Sequence, residues 1–387
     1  MPSVTGRIVE SGDAVEVEVE GSRIGSLQPV SSAGLPWVGP GLIDIQVNGY
    51  MGHDLNDPAV TPDVVARLVR ALWSVGVTGV CPTVITGSEA RMCRSLEAVA
   101  SACDSDPLVA HSVVCIHVEG PHISPEDGPR GAHPREHVRP PDLREYLRWQ
   151  EASDGRVGIV TLAPEHPGSL EYIRALAADG VVVALGHTAA SGEQLRAAVD
   201  AGARLSTHLG NGSQALIPRH SNYIWEQLAE DRLLASFIFD GHHLPPAAMK
   251  VMLRAKGPER AVLVSDAVAV AGQAPGVYET AVGGTVELLP SGRLVLRGTP
   301  YLAGSASTLL DGIANAVRYA GVSLPEAVRL ASIKPARLLR LDGPDGRGSV
   351  RSGAVADLVL FDHDPVASTI SVLKTIVRGE VVYSREA

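Results

Sequence analysis

Apolar and polar residues alternate along positions 4–30, VTGRIVESGDAVEVEVEGSRIGSLQPV, with glycines at the breaks. A period of two punctuated by turn residues predicts short antiparallel strands. Residues 345–383 repeat the pattern, in DGRGSVRSGAVADLVLFDHD and then ISVLKTIVRGEVVYS. Both ends of the chain are therefore expected to supply strands to one small β-sandwich, built from 1–39 and 345–387. Between them the pattern changes to short apolar runs rich in Val, Ile and Leu. The runs are Leu42–Val47, Gly76–Ile85, Ser112–Val118, Val157–Leu162, Val181–Gly186, Arg204–Thr207, Leu234–Phe239 and Ala261–Ser265. Unbroken apolar runs suit strands buried on both faces. Helix-like stretches separate most of them, as at 59–76, 169–180 and 192–202, and two more follow the last run at 306–320 and 324–341. Eight strand–helix units in series predict an α/β fold, a closed parallel (β/α)8 barrel over 40–344.

In such a barrel the C-terminal ends of the strands face the active site. The ends here are polar in a consistent way: Asp44-Ile45-Gln46-Val47-Asn48-Gly49 on the first run, His117-Val118-Glu119-Gly120-Pro121 on the third and Gly186-His187-Thr188 on the fifth. Thr207-His208-Leu209 follows on the sixth, Asp240-Gly241-His242-His243 on the seventh and Ser265-Asp266-Ala267 on the eighth. Glu119, His187 and His208 supply one carboxylate and two imidazoles, a set that holds a catalytic zinc while leaving a position open for water. A bound divalent ion brings the pKa of its water toward neutral. Asp266 is then placed for acid–base work. One histidine alone reads as a core or loop residue. Three ligand-type residues at three strand ends of one barrel outweigh that reading. His53, His111, His166, His220 and His363 are read as surface or loop residues, and His117 and His122 first as structural neighbours of Glu119. His133 differs, because the Gly/Pro-rich loop GPRGAHPREHVRPP can carry it over the site.

Composition narrows the partners. The chain has 387 residues, 45% of them hydrophobic and 20% charged, with a net charge of −10 and no basic block. That excludes a nucleic-acid surface, which needs clustered Lys and Arg. A small anionic substrate is still admitted, since one Arg or a ring of backbone N–H groups suffices for it. Cys81, Cys93, Cys103 and Cys115 show neither a C-x-x-C pair nor zinc-finger spacing and are expected to be reduced thiols of a cytoplasmic protein. The opening MPSVTGRIVESGDAVEVEVEG is not expected to be a signal peptide, and no apolar stretch is long enough to span a membrane.

With these motifs in view, the chain resembles the N-acetylglucosamine-6-phosphate deacetylases of the amidohydrolase superfamily over nearly its whole length. The resemblance lies in PGLIDIQVNGYMG (40–52), HVEGPHISPEDGPRGAHP (117–134), LGHTAA (185–190), THLGN (207–211), FDGHHL (239–244), VSDAVA (264–269), LAGSASTLLDG (302–312) and GAVADLVLFD (353–362). It implies a divalent metal on Glu119, His187 and His208, with Asp266 as acid–base residue. Zn²⁺ suits such ligands, and Fe²⁺ also accepts them. It implies substrate contacts from Ala132, His133 and His243, a sugar phosphate held by Asn211, Gly212 and Arg219, and a pocket wall at Leu302, Ala303 and Gly304. In relatives the arginine comes from the neighbouring subunit, so a homodimer is implied. Two departures stand out. Many amidohydrolases carry His-x-His on the first strand; Gln46 and Asn48 stand there in this chain, which predicts one metal rather than two. After the sixth run the family's aromatic is replaced by Gly210, and its Met-Pro pair by Ser213-Gln214. The space so opened, with Tyr223 or Trp225 available to fill it, bears on specificity. The competing readings are deacylation of an unphosphorylated or modified amino sugar, or of an N-acyl amino acid, and a catalytically inactive barrel serving as a scaffold. The intact Glu119, His187, His208 and Asp266 argue against the last.

Overall fold

Each of the eight apolar runs forms a strand: Leu42–Val47, Val77–Ile85, Ile116–Glu119, Val157–Leu162, Val182–Leu185, Leu205–Ser206, Leu234–Ile238 and Ala261–Val264. The structure is a computed structural model describing residues 3–31, 34–281, 284–299, 301–344 and 346–385. The strands are hydrogen-bonded in chain order and all run parallel. The last returns onto the first through Asp266 N to Gln46 O (3.0 Å) and Asn48 N to Ala267 O (2.8 Å), closing the barrel. Ile43, Ile45, Cys81, Ile159, Ala184, Leu205, Ile238, Val262 and Val264 fill its interior and meet Ala336. The larger core lies between the strands and the surrounding helices.

Helix starts follow local chemistry. Thr61 caps Pro62–Trp73, and Ser191 forms a capping box with Gln194 at the head of Gly192–Ala201. Three stretches differ from expectation. The third strand begins only at Ile116, because Asp106 accepts from Leu108 N (2.8 Å) and Val109 N (3.2 Å) and, with Pro107, starts a helix over Pro107–Ser112. The stretch 324–341 is two helices, Leu324–Leu330 and Ile333–Leu338. Pro335 has no N–H to bond Ala331 O, and that carbonyl instead accepts Ile43 N of the first barrel strand at 2.8 Å. Third, an antiparallel sheet of Gly276–Thr280, Gly284–Leu288 and Leu294–Leu296 follows the eighth strand where no such element was expected.

The two ends of the chain do meet. A separate seven-stranded mixed sheet runs, edge to edge, Glu380–Ser384, Thr369–Val377, Leu358–Asp364, Trp37–Pro40, Ser3–Ile8, Ala14–Glu20 and Arg23–Pro29. Its far strand is brought back by the bridge Arg23–Val355 and by Ile24 N to Ala354 O (2.8 Å), enclosing a core of its own around Val17, Val19, Val38 and Leu358. Among the described residues no helix is long and apolar enough to cross a membrane, and all four cysteines are free.

His111, expected on the surface or in a loop, is instead in the helix Pro107–Ser112 and part of a largely buried clasp between barrel and sheet. Its Nε2 lies 3.0 and 2.9 Å from the two carboxylate oxygens of Asp357. Asp357 also accepts Arg378 N (2.9 Å) and pairs with Arg347 Nε (3.2 Å), while Arg347 donates to His111 O. Asp357→Ala would strand the Arg347 charge out of water. We expect it to lower the unfolding free energy by about 3–5 kcal/mol, read from urea midpoints at constant slope.

Candidate active site

Three of the predicted site residues hold backbone that side chains seldom adopt. His187, His208 and Asp266 have φ of 51°, 28° and 49°, in the left-handed region that a non-glycine residue enters at a cost. Neighbouring backbone fixes each turn: Ser124 N donates to His187 O (2.8 Å), Asn211 N to His208 O (3.0 Å) and Asp266 N to Gln46 O (3.0 Å). These turns bend the strand ends so that their side chains converge with Glu119 over one end of the barrel.

At the centre, Glu119 Oε1, His187 Nε2 and His208 Nε2 form a triangle with sides of 3.3, 3.0 and 3.1 Å. Two imidazole nitrogens at that separation point lone pairs at each other unless a proton or a cation lies between them. Tetrahedral zinc with bonds of about 2.0–2.1 Å has ligand–ligand edges of about 3.3 Å, so this donor set fits a divalent ion. His187 Nδ1 lies 2.7 Å from Pro129 O, the backing that orients a metal-binding imidazole. His208 Nδ1 is buried without a partner. Donor atoms of Glu119, His133 and His187 lie within 4.8 Å of one another. His208 makes the tighter third corner, and His133 borders it, its ring centroid 4.4 Å from that of His187. Burial opposes the charge of Glu119, but the hydrogen bonds and charges of His187 and His208 overcome it and hold the carboxyl well below its ordinary range.

The first-strand amides face the carboxylates. Gln46 Nε2 donates to Glu119 Oε1 (2.9 Å) and Asn48 Nδ2 to Asp266 Oδ1 (2.7 Å). Burial and the nearby Glu119 charge raise Asp266 to about 6; a cation on the neighbouring triangle acts in the opposite direction. Burial, followed by the His187 charge, lowers His133 to about 3, so its ring is neutral. Its Nδ1 lies 2.8 Å from Thr86 Oγ1, leaving Nε2 free. His243 is fixed by Asp240 Oδ2 at 2.6 Å.

Asn48, Glu119, His133, His187, His208, His243 and Asp266 line one cavity of about 770 Å³ together with Ala132, Asn211, Gly212, Leu302, Ala303 and Gly304. Arg219 is exposed and outside the lining. Gly210 does not open the cavity as expected. With φ at 98°, a Cβ there would meet Leu244 and Met252 at 3.0 Å, on the packed side of the loop. Tyr223 takes over the bracing: Gln214 N donates to its hydroxyl (3.0 Å), which donates to Gln214 Oε1 (2.5 Å). Trp225 stays half exposed. His117 sits one layer below Glu119, against Thr161 Oγ1 (2.7 Å) and Ile45 O (3.0 Å), and His122 packs outside the barrel on Trp149 and Tyr172. Sequence reasoning missed Thr86, which follows the second strand, and Asp240 as the holder of His243. The position of Thr86 just beyond a strand end was the available signal.

Residues 37–382 match the Amidohydrolase family. The chain is 33% identical over 352 residues to an N-acetylglucosamine-6-phosphate deacetylase of Bacillus subtilis (strain 168), covering 90% of this chain and 85% of that one. It is 36% identical over 323 residues to an N-acetylgalactosamine-6-phosphate deacetylase of Escherichia coli O157:H7, covering 84% and 83%. Among solved structures, a mutant N-acetyl-D-glucosamine-6-phosphate deacetylase of Mycobacterium smegmatis in complex with N-acetyl-D-glucosamine-6-phosphate superposes with a TM-score of 0.86 at 30% identity, over 99% of this chain and 100% of that one.

Gly212 adopts φ of 57°, and a Cβ on it would sit 2.9 Å from His187 Nδ1 and 3.1 Å from Pro129 O. Gly212→Ala would force apart the contact that backs His187. We expect metal affinity to fall about 10- to 100-fold, measured by competition with a chelator, while the unfolding midpoint of the metal-free protein moves far less.

Proposed function

The chain belongs to the amidohydrolase family, and from that premise we propose that it hydrolyses the N-acetyl amide of N-acetylglucosamine 6-phosphate, giving glucosamine 6-phosphate and acetate. The observation that carries this reading is the juxtaposition, in one cavity, of the Glu119–His187–His208 triangle and an Asp266 carboxylate held by Asn48. The relatives of the preceding section act on substrates of this class.

Glu119, His187 and His208 would hold one divalent ion, with Zn²⁺ the best match to two imidazoles and a carboxylate. Such an ion, when bound, polarises an amide carbonyl and makes water acidic enough to attack it. The side chains do the rest. Asp266 accepts a proton from the attacking water and returns it to the amine nitrogen, which leaves as a neutral amine. Asn48 keeps the Asp266 carboxylate aimed by donating to one oxygen, so the other is free for that proton. His133, neutral and braced by Thr86, donates from Nε2 to the oxygen on which charge develops in the tautomer whose Nδ1 accepts the Thr86 hydroxyl in place of Glu119 O. Gln46 and Asn48 act as donors to acids and not as ligands, which supports one ion per site. Asn211, Gly212 and His243 would bind the sugar phosphate, joined by Arg219 of a second copy in a homodimer. The strongly exposed Leu216 and half-exposed Trp225, both close to Arg219 in sequence, support a covered face there. A phosphorylated sugar does not cross a membrane unaided, so the reaction belongs in the cytoplasm.

A second reading concerns one stereocentre, since a relative of equal similarity is named for the galacto epimer. Acetate release from N-acetylglucosamine 6-phosphate, its galacto epimer and N-acetylglucosamine by the metal-loaded protein decides among them. We expect strong release from the gluco phosphate and little from the unphosphorylated sugar; preference for the galacto phosphate selects the second reading, and inactivity on both phosphates defeats the proposal. Asp266→Asn should retain the metal and lose about 10²–10⁴ in kcat, and near-full turnover in that variant would refute its role.

A further inference from the structure

A phosphate monoester carries about −1.5 to −2 charge near neutral pH, yet the cavity walls are acidic. Asp54, Glu119, Asp127 and Asp266 all line it. Among the described lining residues, Arg130 is the one Lys or Arg side chain. Its Nη1 donates to His133 O (2.7 Å) and its Nη2 to Asp127 Oδ1 (2.5 Å), while Nε is buried with no partner. The Arg130 side chain is 19% exposed and that of Asp127 77%. An ion pair with so exposed a carboxylate is weak and easily exchanged. A phosphate offers a guanidinium two parallel, charge-assisted hydrogen bonds.

The turn that carries Arg130 also lies beside the loop expected to hold the phosphate. A Cβ on Gly128 would sit 2.7 Å from Gln214 Cα, one on Gly212 would sit 3.1 Å from Pro129 O, and Gln214 Nε2 donates to Glu126 Oε2 at 3.0 Å. Residues 126–131 and 211–214 thus form one packed rim of the cavity. We infer that Arg130 is a specificity residue supplied by the same subunit, which binds the substrate's phosphate after exchanging Asp127 for it. This rests on the reading of a phosphorylated amino sugar as substrate, and it gives one chain a phosphate contact independent of Arg219.

The test uses the metal-loaded full chain with Arg130→Met and Arg130→Lys. Binding of glucosamine 6-phosphate and of glucosamine is measured by calorimetry, beside kcat/KM on N-acetylglucosamine 6-phosphate and N-acetylglucosamine. The Met variant should lose at least about tenfold in glucosamine 6-phosphate affinity and in kcat/KM on the phosphorylated substrate, chiefly through KM, and the Lys variant should recover much of it. Glucosamine binding should not change. An equal loss on both substrates would mean that Arg130 acts only by holding His133 through its carbonyl, and would overturn the inference. Unchanged glucosamine 6-phosphate affinity in the Met variant would overturn it as well. Should the parent protein turn over neither substrate, the proposed function fails, while loss of glucosamine 6-phosphate binding in the Met variant still upholds phosphate recognition by Arg130.

Discussion

The seam at which the eighth strand meets the first is the constraint on which the site depends. Asp266 N and Asn48 N cross it to Gln46 O and Ala267 O. The Asp44 carboxyl is inserted into the same seam and accepts Ser265 N (3.2 and 3.3 Å) and Gln46 N (3.3 Å). Burial raises this carboxyl to about 7 against the pull of those donors. The pairing register of the first strand shifts between Asp44 and Val47. An irregularity of that kind re-aims side chains beside a functional site. It delivers Gln46 to Glu119 and Asn48 to Asp266. A slip by one residue would send both amides to the opposite face.

Strain concentrates above the seam. Left-handed backbone at a non-glycine residue costs about 1–3 kcal/mol, and His187, His208 and Asp266 each bear it. The layer below helps to make that geometry obligatory. Thr161 Oγ1 lies 2.7 Å from both His117 Nε2 and Thr207 Oγ1, tying the third, fourth and sixth strand ends together. Rigid polar packing thus lies beneath the strained His187 and His208, whose Nε2 atoms stand 3.1 Å apart.

The barrel was legible because its strands are unbroken apolar runs, and the candidate metal ligands because they end those runs. Glu119, His187, His208 and Asp266 could be picked out by position alone. What escaped were relations between residues distant in the chain. Nothing in the string couples Thr86 to His133, or Asp357 to His111 over 246 positions. Gly210 shows the opposite error. Its neighbours suggested an emptied pocket, but the direction of a Cβ depends on φ, and φ is not written in composition. The three-stranded insert after the eighth strand was missed for want of a strong period. Its strand Gly276–Thr280 has only half-buried and exposed positions.

The terminal sheet has a consequence for synthesis. Trp37–Pro40 sits between Ser3–Ile8 and Leu358–Asp364, so a strand made early must wait for a partner made more than three hundred residues later. At about 5–20 residues per second that delay lasts tens of seconds. During it Trp37–Pro40, paired on one side with Ser3–Ile8, shows the ribosome's surroundings an unpaired edge, the situation in which strands aggregate. Glu16, Glu18 and Glu20 alternate along the Ala14–Glu20 strand, and their like charges repel other nascent copies until the last strands emerge and complete the sheet.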